Sequence, residues 1–274
     1  MKIEKLFSYK SPGQIWRIQI SDNDRLVVET RDLKTKEVFF HCFELDSGKV
    51  MFEDLQLDEK NYIGIETIHK NIIYFHKYPQ RDMPGHKEII AFDIDSRKVL
   101  WENRDLSFLF ALGDLIYGFQ QGFEDRCFFA LNYLSGEMIK EYGNDYKTIN
   151  IMRRKADDEI DWNNYRYPKV LSKEEENERI AEVIASNTQN LLLEGDVEYN
   201  CSGNLLCFNF HSKIFEGSYL NRFMAVNLNG GGILLDEVLN LNAPTLFADS
   251  FFIYKNYLFL LREKNEVIVY TMEA

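Results

Sequence analysis

Positive charge is in short supply: 32 Lys and Arg stand against 44 Asp and Glu, for a net charge of −12. A nucleic-acid backbone is held by clustered Lys and Arg that displace its counterions. No basic stripe runs anywhere in the chain, so nucleic acid is not an expected partner and the acidity reads as solubility. Long apolar runs are missing too, since no stretch approaches the roughly 18–20 residues of a membrane span. The opening residues MKIEKLFSYKSPGQ hold no apolar core of a secretory signal, so neither membrane nor export is expected. Cysteine is scarce, with Cys42, Cys127, Cys201 and Cys207 set among apolar neighbours and no C-x-x-C spacing. Free, buried, reduced thiols are expected, which suits a cytoplasmic protein. A Cys201–Cys207 disulfide is the alternative. Also absent are G-x-S-x-G, a Walker loop, G-x-G-x-x-G and H-E-x-x-H. Without them the expectation leans away from an enzyme.

What is present is an ample core, 45% hydrophobic and 14% aromatic, which excludes disorder. It is arranged around one recurring hairpin. EIIAFDIDSRKVLWE (Glu88 to Glu102) recurs as VFFHCFELDSGKVMFE, CFFALNYLSGEMIKE and, more loosely, FMAVNLNGGGILLDE. Ser47, Ser96 and Ser135 are spaced by 49 and 39 residues, within the range of propeller blades. Around each hairpin, short segments rich in Val, Ile, Phe and Tyr are broken by turn chemistry such as SDND, HKN and SGN. They read as four-stranded antiparallel meanders, strands A to D. Four such units are expected, beginning at Ile15, Tyr62, Phe108 and Val197. A last unit, Phe251 to Met272, has only three strands, and Ile3–Tyr9 belongs to no other. The fold class is therefore all-β, a five-bladed β-propeller over residues 1–274. Pairing of the N-terminal strand with the last blade closes it. Six blades are the alternative, because Thr148–Met152 and Leu191–Leu193 could be strands.

The pattern lapses between Gly143 and Glu194, a helical insertion between the third and fourth units. Ser172 and Glu175 form a capping box, and Ile180, Val183 and Ile184 give an apolar face to a helix over 173–186.

The strand–Asp-x-Ser-Gly-Lys–strand–Trp pattern, clearest in AFDIDSRKVLWE and FELDSGKVMFE, resembles the repeat of quinoprotein-like (PQQ-repeat) β-propellers. In that family the tryptophan and glycine serve blade packing and the tight turn, and only Trp101 keeps the tryptophan here. The resemblance implies fold rather than activity. Quinone-dependent dehydrogenases of this kind are larger rings that use adjacent cysteines and an acidic cluster. No quinone, calcium or other cofactor is expected for this chain.

Strand parity places the uniformly short A–B and C–D turns on one side and the longer B–C and D–A connections on the other. Loops on a rigid scaffold are where binding resides. The second side is therefore the expected face, with the insertion as a lid or wall. Its candidate binding residues are Arg81, Asp82, His86, Arg153, Arg154, Trp162, Tyr165, Tyr167, His211, Lys213 and Arg222, aromatic and Arg side chains being favoured at interfaces. The alternative for the aromatic residues is that they anchor the insertion. Asp157, Asp158, Glu159 and Asp161 lack a glycine-hinged loop and read as a solvated turn rather than a cation site. His41, His69 and His76 read as packing or turn residues.

The expected function is a non-catalytic binding or scaffold module for a protein or small-molecule partner. The alternative is a hydrolase of the five-bladed glycosidase kind, with Glu66, Asp196, Glu198 and Asp249 as candidate carboxylates.

Overall fold

The computed structural model describes residues 1–79, 85–171 and 178–273. After β1 (Lys2–Lys10), a first sheet is formed by β2 (Gln14–Ile20), β3 (Arg25–Arg31), β4 (Val38–Glu44) and β5 (Val50–Leu55). The second holds β6 (Ile63–His69), β7 (Ile72–Lys77), β8 (Lys87–Asp93) and β9 (Lys98–Asn103). The third holds β10 (Ser107–Leu112), β11 (Leu115–Gln121), β12 (Arg126–Asn132) and β13 (Met138–Gly143). Next come α1 (Tyr146–Glu159), the two-residue strands β14 (Tyr165–Arg166) and β15 (Lys169–Val170), and α2 (Glu178–Thr188). A fourth sheet is built from β16 (Leu193–Ser202), β17 (Leu205–Phe215), β18 (Ser218–Asn227) and β19 (Ile233–Ala243). The fifth holds β20 (Phe251–Tyr254), β21 (Tyr257–Arg262) and β22 (Glu266–Glu273). All pairings are antiparallel between neighbours, the meander that the strand spacing implies.

Two compact units result: Pro12–Asp161, and Trp162–Ala274 together with Met1–Ser11. In the first, the consecutive sheets pack face to face. Phe40, Cys42 and Phe52 of the first sheet meet Ile63, Phe75 and Phe92 of the second, and Tyr74, Ile89 and Ala91 of the second meet Ile116, Phe129 and Leu131 of the third. In the other unit, Cys207, Phe223 and Ala225 of the fourth sheet pack on Phe251, Leu258 and Ile268 of the fifth.

The recurring hairpin is one recurring corner. At each of the four sites a backbone N–H reaches back four residues to the end of the third strand: Gly48 to Glu44, Arg97 to Asp93, Gly136 to Asn132 and Gly231 to Asn227. The donor sits each time in the left-handed region, at φ 67°, 56°, 71° and 64°. That conformation is free for glycine and costs an L-residue such as Arg97 about 1–2 kcal/mol. Just past the corner the fourth strand bulges by one residue, at Met51, Leu100, Ile139 and Leu234.

The N-terminal strand obeys the same rule. β1 pairs antiparallel with β22 from Lys2↔Glu273 to Lys10↔Glu266 and skips Leu6 at the equivalent register. It is the outer strand of the fifth sheet, where the sequence places it.

Between the third and fourth sheets the sequence reading needs correction. Thr148–Met152 lies within α1, whose N-cap Asp145 accepts the Thr148 N–H, and α1 buries Ile149 and Ala156 among Phe110, Tyr117 and Phe128 of the third sheet. Ile180 and Ile184 of α2 pack on Leu206, Phe208 and Met224 of the fourth. Both helices cover a sheet. The proposed capping pair Ser172 and Glu175, and the start of the helix placed at 173, fall outside the described residues. The short β14 and β15 add edge strands to β20 and β16. Of the cysteines only Cys42 and Cys207 are buried, while Cys201 is exposed, and all four are free thiols with no Cys201–Cys207 bridge. No described helix is long and apolar enough to cross a membrane.

Candidate functional site

One cluster brings together side chains whose chemistry the fold does not require. β6 carries a bulge, because Ile65 faces Phe75 while Thr67 faces Tyr74 and Glu66 is left between them. Bulges re-aim side chains and recur beside functional sites. Here the unpaired carboxylate meets His76 at the end of β7 and His86 just before β8. Glu66 Oε1 lies 2.5 Å from His86 Nδ1 and 3.2 Å from His76 Nδ1. The two imidazoles are stacked, with centroids 3.6 Å apart and planes within 5°. Tyr78 stands edge-on to both rings. A Cβ added to Gly64, the cross-strand partner of His76, would sit 3.1 Å from the imidazole, so the glycine leaves the ring its room.

The neighbouring sheets hold this arrangement in place. Glu29, buried in the first sheet and paired with Arg31, accepts the Ile65 N–H at 3.2 Å, and Arg17 donates to the Ile65 carbonyl. The residue just before Glu66 is thus clamped on both its backbone polar groups. From the third sheet, Ser107 Oγ donates to the His86 carbonyl at 2.7 Å.

Burial pushes His76 below its ordinary pKa, with Glu66 working against the shift. Burial also opposes ionisation of Glu66, but the nearness of the two histidines outweighs it and holds the carboxyl below its usual value. His76 is wholly buried. Its Nδ1 approaches Glu66 too obliquely for a hydrogen bond, and its Nε2 meets no partner among the described residues.

Sequence reasoning singled out Glu66 and His86 separately and set His76 aside as packing. The signal that could have joined them is the tight Lys70-Asn71 turn, which folds β7 back on β6. Unbroken register from the His69–Ile72 pair sets Glu66 against Phe75. The bulge turns it towards His76, and a bulge is not legible from residue types.

A second polar row lies in the other unit. Both Glu198 oxygens accept the Asp249 N–H at 3.1 Å, His211 Nε2 accepts the Phe247 N–H at 3.2 Å, and Asn221 donates to Ser250 at 3.0 Å. Burial, together with the charges of Asp249 and Asp196, raises the Glu198 carboxyl against the Asp249 N–H and Asn209. Burial lowers His211. These residues fasten the β19–β20 connection to the fourth sheet. Asp249 is exposed at φ 55°, and Asp196 is exposed on β16.

The other candidates are scattered. Arg81 and Asp82 fall outside the described residues. Arg153 and Arg154 lie exposed on α1, Lys213 faces Glu194 at 4.0 Å, and Arg222 pairs bidentately with Asp236 across β18 and β19. Trp162 packs on Tyr165, which in turn packs on Tyr254 and stacks with Tyr167, while Tyr167 meets Phe252. These contacts join the insertion to β20, while Trp162 and Tyr167 stay more than half exposed. Asp157, Asp158, Glu159 and Asp161 are exposed, and Glu66, His76 and His86 form the one ligand-type cluster among the described residues.

A family model described as a domain of unknown function, DUF4905, matches residues 20–101, which includes β6, β7, His86 and the second corner. No curated protein matches the chain. Among the solved structures similar to it are three chains at 8–9% identity. A member of the duf4221 family from Bacteroides vulgatus has 8% identity and a TM-score of 0.35, with 99% of this chain and 98% of that one covered. For the AfRom2 CNH domain the values are 8%, 0.34, 100% and 99%, and for the Dos1 propeller 9%, 0.30, 94% and 55%. Similarity at this level assigns neither fold nor activity.

Proposed function

We propose that this chain is a non-catalytic, propeller-type binding module. Its five sheets serve as blades of the quinoprotein-like repeat kind, and its longer connections engage a protein partner. The repeated corner, and β1 taking the fourth-strand place in the fifth sheet, support the blade reading. Free thiols fit a reducing compartment such as the cytoplasm.

One observation carries the binding reading. Three connections between second and third strands hold a large apolar side chain out to solvent, namely Leu33 at 62% exposure, Phe123 at 102%, and Ile214 and Phe215 beside the β17–β18 turn at 50% and 62%, whereas the β21–β22 turn Glu263-Lys264-Asn265 holds none. These tips are built turns. Asp32 Oδ1 accepts the N–H groups of Lys34 and Thr35, Gly122 N–H closes on the Asp125 carbonyl, and Gly217 takes φ 74°. On the short-turn side Leu134 lies exposed in the β12–β13 corner, and Val50, Met138 and Ile233 are exposed beside theirs. Exposed apolar side chains on pre-shaped loops add contact area at little ordering cost. The test is capture of partners by the wild type, by a Leu33→Ser/Phe123→Ser/Phe215→Ser variant, and by a Leu134→Ser control. Loss of the same partner in the triple variant alone is expected. Retention by the triple variant contradicts the reading.

The hydrolase alternative has the raised Glu198 carboxyl beside Asp249 on its side. It stands second because both Glu198 oxygens are engaged by the Asp249 backbone, the arrangement of a loop anchor.

A further inference from the structure

We propose that Glu66, His76 and His86 form a binding site for a first-row divalent transition ion of the zinc class. The inference is independent of the partner reading above. Three observations carry it.

The ligand atoms of all three residues lie within 4.8 Å of one another. Two imidazoles and one carboxylate are a donor set suited to zinc and its neighbours, with a fourth position left for water or a ligand. Oxygen-seeking calcium and magnesium are disfavoured by it.

The second observation is the buried His76 ring, which lacks a well-directed hydrogen bond at either nitrogen. An unsatisfied buried polar group costs about 1–3 kcal/mol and calls for a reason. A metal on one nitrogen supplies it.

The third is an internal comparison. In the third sheet, β10 bulges at the equivalent register, with Phe108 facing Gly118 and Phe110 facing Tyr117. The residue in the Glu66 position there is Leu109, and the one in the His76 position is Phe119. The same bulge is therefore built there from apolar side chains. The carboxylate and imidazole of the second sheet are not demands of the repeat.

As they lie, the rings are parallel, and an ion in the plane of both requires one ring to turn out of the stack. His86 is free to do so, with its side chain 35% exposed against 0% for His76. Glu66 stays fixed by the clamp on Ile65, and His86 gives up its contact with Glu66 as it turns. Protons compete with a metal for imidazole nitrogens, so binding is expected to weaken in acid.

The full chain, dialysed against a chelator, is titrated with zinc while the imidazole nitrogens are followed by NMR; the five histidines make the spectrum tractable. Saturation at one equivalent is expected, with His76 and His86 shifting and His41, His69 and His211 unmoved. Cobalt binding followed by visible absorption should weaken at least ~10-fold in His86→Ala and in Glu66→Gln, at unchanged far-UV spectrum. Absence of saturable binding overturns the proposal. So does movement of the other histidines instead, or a cobalt affinity in both variants unchanged from that of the wild type. Should the partner reading fail through loop variants that still capture it, the zinc titration is unaffected. Should zinc not bind, the loop variants still decide the partner reading.

Discussion

Among the histidines, His41 shows how burial turns a polar residue into a pH-dependent one. Its Nδ1 accepts the Asp54 N–H at 3.2 Å, so Nε2 carries the proton and donates to Thr30 Oγ1 at 2.9 Å. The ring is neutral, 1% exposed, and burial pushes its pKa down to about 4, against a smaller pull from Asp54. A group with a depressed folded pKa takes up its proton more readily when unfolded. Its stabilisation is therefore complete above the unfolded value near 6.5 and is lost as pH falls towards 4. His41→Gln should remove roughly 3 kcal/mol of the acid loss over that interval, read from urea unfolding at pH 7.5 and 4.5. His76 and His211 shift in the same direction and add to the wild-type slope, so the difference between the two proteins is the measurement. An unchanged slope would contradict the buried neutral ring. The sequence reads His41 correctly as packing, because an apolar strand flanks it. For His76 the same reading gives the burial but misses the carboxylate brought in from another strand.

At the scale of the element, the repeated corner makes opposite forecasts for equivalent positions. Gly136 packs under Trp101 of the preceding sheet: an added Cβ would fall 2.6 Å from the indole ring, at a backbone φ of 71°. Trp101 is held there by its Nε1–H donating to the Tyr133 carbonyl at 3.1 Å. Gly136→Ala should cost about 2–4 kcal/mol, from left-handed strain plus overlap. Arg97→Gly, at the same place in the preceding corner, should gain about 0.5–1 kcal/mol, since the strain relieved exceeds the added chain entropy. Chemical denaturation of the two variants checks both signs. Two losses would mean that the corners are not equivalent. The corner was legible because glycine, Asx and Ser recur at fixed spacing. α1 was not, because Ile149, Met152 and Ala156 are too thinly spread among charged residues to announce a helix, and its apolar face exists only against the third sheet. The packing of Trp162, Tyr165 and Tyr167 on β20 was not legible for a related reason. An aromatic residue that binds a partner and one that packs on its own chain look alike in sequence.

For the whole molecule, the pairing of its two ends is the fact on which most depends. The Leu6 bulge makes β1 the fourth-strand counterpart in a sheet that otherwise ends at β22. This long-range pairing was legible from an arithmetic of strands, one unit being a strand short and one strand being unclaimed. An unpaired β22 would present Val267, Val269 and Thr271 as an open edge, the usual route to aggregation. The assignment of connections to ends, and with it the placing of the loop tips, follows from counting strands on from β1. Native-state hydrogen exchange on the intact chain measures this directly. Amides of β1 and β22 that bridge the two strands are expected to open with the same free energy as those of β20 and β21, as one cooperative sheet. Exchange of the β1 and β22 amides through fraying, while β20 and β21 stay protected, would contradict it.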